Sequence, residues 1–424
     1  MPAHLVFISL FLGLVSGKQM VELHADPAVT SIRILLANQE IARLTQPPWR
    51  QEIDLGPELT PRELTAIAYD DKGEEIGRAS QILNLPRPPA EIEFVRQGDA
   101  IQMRWSSLQY KPPRKATVTL DGKRIPVDRD FRVQLPKSDD ARPHVIVAEM
   151  RFDDDVVARR EAVIEGNVFS DTEETQLTPV VVRETSPRHP PALDGCFSID
   201  GDPVRVAAVE KETAHVVFVK DPDPSDVVRA IDPAGRAWNP VTRYQIERVV
   251  ALDNDTSEEI VWPYTKAYFD ASRHSVAHLL DRTSEAKRGL VALLTTASPS
   301  GLGLKTRYSD AVASAGLRAL SGGRRRAVVF VLNEREDASR FDPRAVRRYL
   351  ETIGVPFFVW SATEPSRGAV DRWGPVEDIS NLDHLRDATA KLRDTLASQR
   401  VAWVHASALD ALRIKVDETC GFAR

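Results

Sequence analysis

The sequence predicts a multidomain chain, in which two all-β modules precede an α/β domain. Three observations lead there. Residues 19–86 and 90–166 alternate apolar and polar side chains with the period of half-buried strands. From residue 195 onward, apolar strand-like runs are separated by segments of helical spacing, the pattern of a doubly wound, mostly parallel sheet. Proline-rich stretches at 86–89 and 167–194 separate the three regions and read as linkers.

With 424 residues, 42% of them hydrophobic, the chain can build several cores, and disorder throughout is excluded. A formal net charge of -6 gives no drive toward nucleic acid or an anionic membrane. Two cysteines are too few for a disulfide-dense scaffold, an iron–sulfur centre or a four-thiolate zinc site.

The first element is an apolar run at 5–15 (LVFISLFLGLV), followed by small and polar residues. It is too short to span a bilayer, which takes about 20 apolar residues, and no other segment approaches a span. Its length suits a signal-peptide core, with residues 1–18 as the expected signal-peptide region and a cleavage site after Gly17. No Lys or Arg precedes it, and a buried first strand is the alternative. Cys196 and Cys420 bracket the α/β domain. In an exported protein they would tie its entry to its exit as a disulfide, worth on the order of 5 kcal/mol in the chain-entropy account. In a reducing compartment they would be two buried thiols.

Between 19 and 86 the runs VELHA, SIRILLA, RQEIDL, LTAIAYD and ASQILNL alternate as strands, with turn signals at Asn38, Pro47-Pro48, Gly56-Pro57 and Asp71-Lys72-Gly73. The second region repeats the style, and Asp121-Gly122 between VTL and KRIPV marks a tight hairpin. Both regions read as small sandwiches acting as a stalk. The three acids at 153–155 read as a solvated turn rather than a calcium site.

In the α/β domain, strands are expected at 215–221, 289–296, 326–333, 355–362 and 401–406. Helices are expected at 265–282, 309–320, 342–354 and 381–400. The third has Asp342 as N-cap, Pro343 at its first position and Gly354 as its stop.

These residues carry two resemblances. SIRILLANQEIARLTQPPWRQEIDLG followed by LTAIAYDDKGEEIGRAS resembles bacterial immunoglobulin-like modules. The α/β domain, over about 205–405, resembles the von Willebrand factor type A family, in the divergent branch carried by exported bacterial (acidobacterial) proteins. HVVFVKDPDPSD is similar to that family's first strand and Asp-x-Ser-x-Ser loop. TRYSDAVASAGLRAL is similar to its Thr-x-x-x-Asp-Ala helix start. AVVFVLNEREDASRF and GVPFFVWSA are similar to its central strand, acidic loop and next strand.

The resemblance implies a metal-ion-dependent adhesion site, where oxygens on three loops hold one magnesium or calcium ion with a position open for a partner's carboxylate. Carried over, its ligands are Asp221, Asp223, Ser225, Thr306 and Glu334. Asp223 stands where the family has serine and Glu334 where it has aspartate, so the site reads as degenerate. Pro222 and Pro224 stiffen the first loop.

Other constellations are weaker. The loop before Lys305 and Thr306 lacks phosphate-loop spacing. His274 and His278 share a helical face without a third ligand. Arg324 to Arg326 suggest an anion site or, more simply, a charged loop capping the end of the preceding helix. Trp262, Trp360, Trp373 and Trp403 suggest core packing or a contact face. Asn254-Asp255-Thr256 is a sequon by pattern. The expected function is non-catalytic binding or adhesion outside the cytoplasm, with a protein partner, no nucleic acid and no membrane span. A metal-assisted hydrolase at the same sheet edge and a structural envelope component are the alternatives.

Overall fold

The computed structural model describes residues 4–9, 11, 13–86, 90–97, 100–107, 112–135, 144–152, 157–164, 177–186, 193, 195–221, 223–232, 240–265, 280–284, 289–297, 305–320, 323–406 and 411–424. The chain divides into two compact units, one of Met1–Pro86 with Leu177–Arg424, the other of Arg87–Gln176.

The first unit opens with an antiparallel sandwich. Strands β1 (Leu5–Phe7), β2 (Lys18–Ala25) and β5 (Arg50–Asp54) form one sheet. Strands β3 (Ser31–Leu36), β4 (Gln39–Leu44), β6 (Arg62–Tyr69) and β7 (Glu75–Leu83) form the other. Alternate residues such as Val21, Ile32, Ile34 and Leu64 fill the core between them. Here the start of the chain departs from expectation. Leu5 and Phe7 pair with β2 and are buried in this core, while Phe11 and Val15 pack against it. The Asn84 side-chain amide bonds both backbone groups of Val15. Within the apolar run read as a signal-peptide core, Leu5–Phe7 form an edge strand of the sandwich in this structure, their alternate side chains Leu5 and Phe7 turning to the face that β2 buries.

The second unit is also antiparallel. Strands β8 (Ala90–Gln97), β9 (Ala100–Ser107) and β12 (Arg132–Gln134) form one sheet. Strands β10 (Lys115–Leu120), β11 (Lys123–Ile125), β13 (His144–Arg151) and β14 (Val157–Ile164) form the other. The β10–β11 hairpin turns at Asp121 (φ 48°) and Gly122 (φ 77°), where a tight turn requires positive φ. Residues 153–155 lie outside the described residues.

The rest of the first unit is α/β. Its strands are β15 (Leu177–Glu184), β16 (Phe197–Ile199), β17 (Asp202–Pro203), β18 (Val206–Glu210), β19 (Ala214–Lys220), β20 (Thr256–Thr265), β21 (Leu280–Ser284), β22 (Arg325–Val331), β23 (Phe357–Ser361), β24 (Glu377–Asp378), β25 (Gln399–His405), β26 (Ile414–Val416) and β27 (Phe422–Ala423). Its helices are α1 (Ser225–Ile231), α2 (Pro240–Val250), α3 (Leu290–Thr295), α4 (Tyr308–Ala319), α5 (Pro343–Thr352), α6 (Arg367–Trp373) and α7 (Leu382–Ser398).

Six strands form one sheet in the order β21-β20-β19-β22-β23-β24; five are parallel and β21 is an antiparallel edge. Counted from β19, the order is 3-2-1-4-5-6, the doubly wound arrangement. Every residue of β19 and β22 is buried, as central strands covered on both faces require. One face packs on α4, α5 and α6, through residues such as Val217, Phe330, Tyr349 and Trp373. The other packs on α1, α2, α3 and α7, through Phe218, Ile246, Leu293 and Leu392.

Several expected elements are corrected. Residues 290–295 are helix, not strand: Gly289 (φ 89°) breaks the chain ahead of them, and the Glu247 carboxylate accepts the Val291 and Ala292 amides at 3.2 and 3.0 Å. The second parallel strand is instead β20. The helix expected at 265–282 falls mostly outside the described residues, and its described ends lie in β20 and β21. The run 401–406 does not join the parallel sheet. It lies in β25, antiparallel between β18 and β15 in a second sheet, β18-β25-β15-β27, and the two-residue β24 takes the parallel edge. The stretch 167–194, read as linker, contains β15. Val180 and Val182 are buried there, and Pro179 pairs with Trp403 where β27 does not reach.

Cys196 and Cys420 form a disulfide across 224 residues, with Cα atoms 5.9 Å apart, inside a small core with Phe197 and Phe422. The first sandwich does not stand apart as a stalk. Leu59, from its loop, is fully buried in the α4–α5 core, and Glu58 pairs with Arg348 of α5 at 2.5 Å.

Candidate functional site at the carboxyl edge of the parallel sheet

An open cavity of about 480 Å³ lies where β19, β22 and β23 end. It is the point where strand order reverses, the usual ligand position in such sheets. Its lining includes Lys220, Asp221, Asp223, Asp226, Glu334, Arg335 and Glu364, five carboxylates against two cations. Strand β19 delivers Lys220 and Asp221; the proline-flanked loop and α1 deliver Asp223 and Asp226; the loop after β22 delivers Glu334 and Arg335.

Of the five expected ion ligands, Asp221, Asp223 and Ser225 are joined by hydrogen bonds, Glu334 lines the same cavity but is tied to the Ser366 amide, and Thr306 bonds the Glu336 carbonyl. Asp221 is buried; its Oδ1 accepts the Asp223 amide at 2.8 Å and its Oδ2 accepts the Tyr308 hydroxyl at 2.5 Å. Asp223 accepts both the amide and the hydroxyl of Ser225, which together hold its carboxyl below the usual range. Thr306 donates its hydroxyl to the Glu336 carbonyl. Glu334 accepts the Ser366 amide, which holds its carboxyl low as well.

Between Asp221 and Asp223 lies a cation that sequence reading missed. Arg335 Nε is 3.4 Å from Asp221 Oδ2, and its Nη2 is 3.3 Å from Asp223 Oδ2. The residues as arranged do not fit a divalent ion. Such an ion needs six or more oxygens within about 2.6 Å. Here the carboxylates are spent on a guanidinium, a phenol and amides, and Thr306 and Glu334 face other partners. Among the described residues, no group of three or more His, Cys, Asp or Glu side chains could hold a metal ion.

The Arg335 loop is laced to the start of α4. Asp337 accepts the amides of Tyr308 and Ser309 and the Ser309 hydroxyl, giving α4 the cap its own preceding residue lacks. Asp310 returns the tie, accepting the Arg340 and Phe341 amides and pairing with Arg307. Burial pushes the Asp310 carboxyl up, against the pull of Arg307 and those amides.

Lys220 forms the floor. It is 1% exposed, donates to the Leu293 and Thr296 carbonyls at the end of α3, and lies 5.3 Å from the Trp262 ring. Burial brings its ammonium down to about 7, against the pull of Asp221.

The remaining sequence candidates lie away from this edge. His274 and His278 are outside the described residues. Arg325 is buried, pairing with Asp255 at 2.5 Å and donating at 2.9 Å to the Leu396 carbonyl of α7, a later helix than the preceding one that the run was expected to cap. Trp262, Trp360 and Trp373 are core residues. Near the opposite edge, Glu259 is held by His215 and by two nitrogens of Arg318. Despite burial, those partners bring its carboxyl down to about 2.

No family model matches the chain, and no curated protein matches it. Among solved structures it is similar to the fibronectin(III)-like modules of Clostridium thermocellum CbhA, at 14% identity, 19% of this chain, 93% of that chain and a TM-score of 0.17. It is similar to the central fibronectin-III array of RIM-binding protein, at 9% identity, 46% and 82% coverage and a TM-score of 0.19. It is also similar to a Parabacteroides merdae β-glucuronidase, at 7% identity, 39% and 25% coverage and a TM-score of 0.22. Likenesses of this size carry no argument about function.

Proposed function

We propose that the chain is an extracytoplasmic binding protein whose α/β module, von Willebrand A-like in character, recognises a protein partner at the carboxyl edge of its parallel sheet. The observation that carries this is the open cavity at the strand-order reversal, rimmed by charged side chains on three loops. Support for the family reading comes from the sheet order and from where the family-like segments fall. Asp221, Asp223 and Ser225 follow the first parallel strand, Thr306 precedes α4, and Glu334 follows the fourth strand. Support for an extracytoplasmic location comes from the disulfide, which persists in oxidising compartments. No helix among the described residues is long and apolar enough to cross a membrane. With more carboxylates than cations at the rim, a basic segment of the partner is complementary.

The test is affinity capture from the extracytoplasmic fraction, with wild-type chain beside an Asp226→Arg/Glu364→Arg variant whose melting curve is unchanged. Both side chains are exposed at the rim. A partner retained by the wild type and lost by the variant supports recognition at this edge. Identical capture by both chains removes it. Turnover of an ester, glycan or peptide that Asp221→Asn abolishes would put a hydrolase in its place.

A further inference from the structure

We infer that Arg335 is the resident cation of this sheet edge: its guanidinium takes the place that a divalent ion holds in the family the domain resembles, so recognition here needs no metal. The inference rests on the binding reading above and deepens it.

The geometry is specific. One guanidinium reaches both loop carboxylates at once, 3.4 Å from Asp221 Oδ2 and 3.3 Å from Asp223 Oδ2. An ion bound to those oxygens at 2.0–2.6 Å would have to displace it against like charge. The guanidinium is covalently attached to the chain, whereas an ion can be chelated away. Its place is fixed from both sides. The Thr306 hydroxyl holds the Glu336 carbonyl, the Ala338 amide donates to the Thr306 carbonyl at 2.8 Å, and Asp337 caps α4. Glu334, on the other flank, is tied to the Ser366 amide. The side chain remains 43% exposed in the cavity lining, and its five N–H donors outnumber the two carboxylate contacts. A carbonyl oxygen of the partner's basic segment would therefore meet a covalently attached donor fork rather than an exchangeable ion.

The test uses the full-length oxidised chain and the metals alone. Magnesium, calcium and manganese are titrated calorimetrically up to about 10 mM, above the affinity range of extracellular calcium modules. The wild type is expected to give no saturable heat. Arg335→Ala and the longer neutral Arg335→Gln are expected to gain one site in about the 10⁻⁴–10⁻³ M range. Adding Asp221→Asn is expected to remove that site, and Arg335→Lys to give none. Saturable uptake by the wild type that Asp221→Asn abolishes would overturn the inference, as would two folded neutral variants that take up no ion. If neither neutral variant folds, the wild-type titration still decides: uptake overturns the inference and its absence supports it. Because the titration reads ions and not partners, its failure leaves the binding reading standing; loss of rim-dependent capture would do the reverse.

Discussion

Lys220 gives the clearest residue-scale consequence. An exposed lysine loses its proton near pH 10.4, while this one does so at about 7 because burial disfavours its charge. Between those values the unfolded chain binds a proton that the folded chain does not, so stability rises with pH across that window. Below about 7 both states are protonated, and the folded state bears the full cost of the buried charge, on the order of a few kcal/mol. Replacing Lys220 by Met removes the titration. Urea midpoints at pH 6, 8 and 10 are expected to climb for the wild type and to climb less for Lys220→Met. The variant also leaves the Leu293 and Thr296 carbonyls without this donor, so the slope rather than the absolute midpoint is the readout. Equal slopes would show that the lysine titrates normally in the folded chain. The sequence showed the lysine but not its burial, since the end of an apolar strand can face a helix end or solvent. Asp221, Asp223 and Ser225 were singled out only through the family resemblance of the segment after the first parallel strand, and as ion ligands; the structure joins them by hydrogen bonds to one another. Arg335 and Asp337 were not singled out, because their roles depend on a loop folding back onto α4, a contact between residues that no local pattern links.

At the scale of elements, legibility followed local chemistry. Helix α5 was readable because its signals are covalent neighbours: Asp342 accepts the Arg344 and Ala345 amides, Pro343 starts the helix, and Gly354 follows with φ 65°. Helix α3 was not, because residues 290–294 are buried all round, and a fully apolar run has no period to separate strand from helix. What decides it is a distant residue, Glu247 of α2, reached only because Gly289 leaves room. A Cβ at Gly289 would stand 2.6 Å from the Glu247 carboxylate carbon and 2.6 and 2.7 Å from its oxygens, at a φ that L side chains avoid. Gly289→Ala is therefore expected to lose about 1–3 kcal/mol, combining the lost cap with the strained backbone. Chemical denaturation would measure it. A variant within about 0.5 kcal/mol of wild type would mean that Glu247 is not the cap. The same nonlocality explains β25, whose apolar run suits either sheet. Its partner β15 decides the matter, and β15 lay in a stretch whose prolines read as linker.

For the whole molecule, the question is whether the first sandwich is a separate stalk or part of the α/β body. Module boundaries in the sequence marked it as separate, since alternation ends at 86 and resumes in another region. The structure groups Met1–Pro86 with Leu177–Arg424, and the join is specific. Leu59 is 0% exposed and sits in the cluster that holds Phe341, Ala345 and Tyr349. That cluster supports α4 and α5, the two helices whose amino ends anchor the Arg335 loop. Truncating Leu59 to Ala leaves a cavity between sandwich and helices. A buried leucine truncation costs about 2–5 kcal/mol, the larger values applying where the site cannot collapse. An exposed loop leucine on an independent stalk would cost less than about 0.5 kcal/mol. Differential scanning calorimetry separates the two cases. If sandwich and α/β body melt together, Leu59→Ala lowers the main transition and brings out a lower shoulder as the sandwich uncouples. If the transition is unchanged, the sandwich is a stalk after all. The Glu58–Arg348 pair contributes little to this choice, because both side chains are substantially exposed and such pairs are worth at most about 1 kcal/mol. Coupling through Leu59 would also mean that the sandwich and the cavity edge share one support, so loosening the former would be felt where the partner binds.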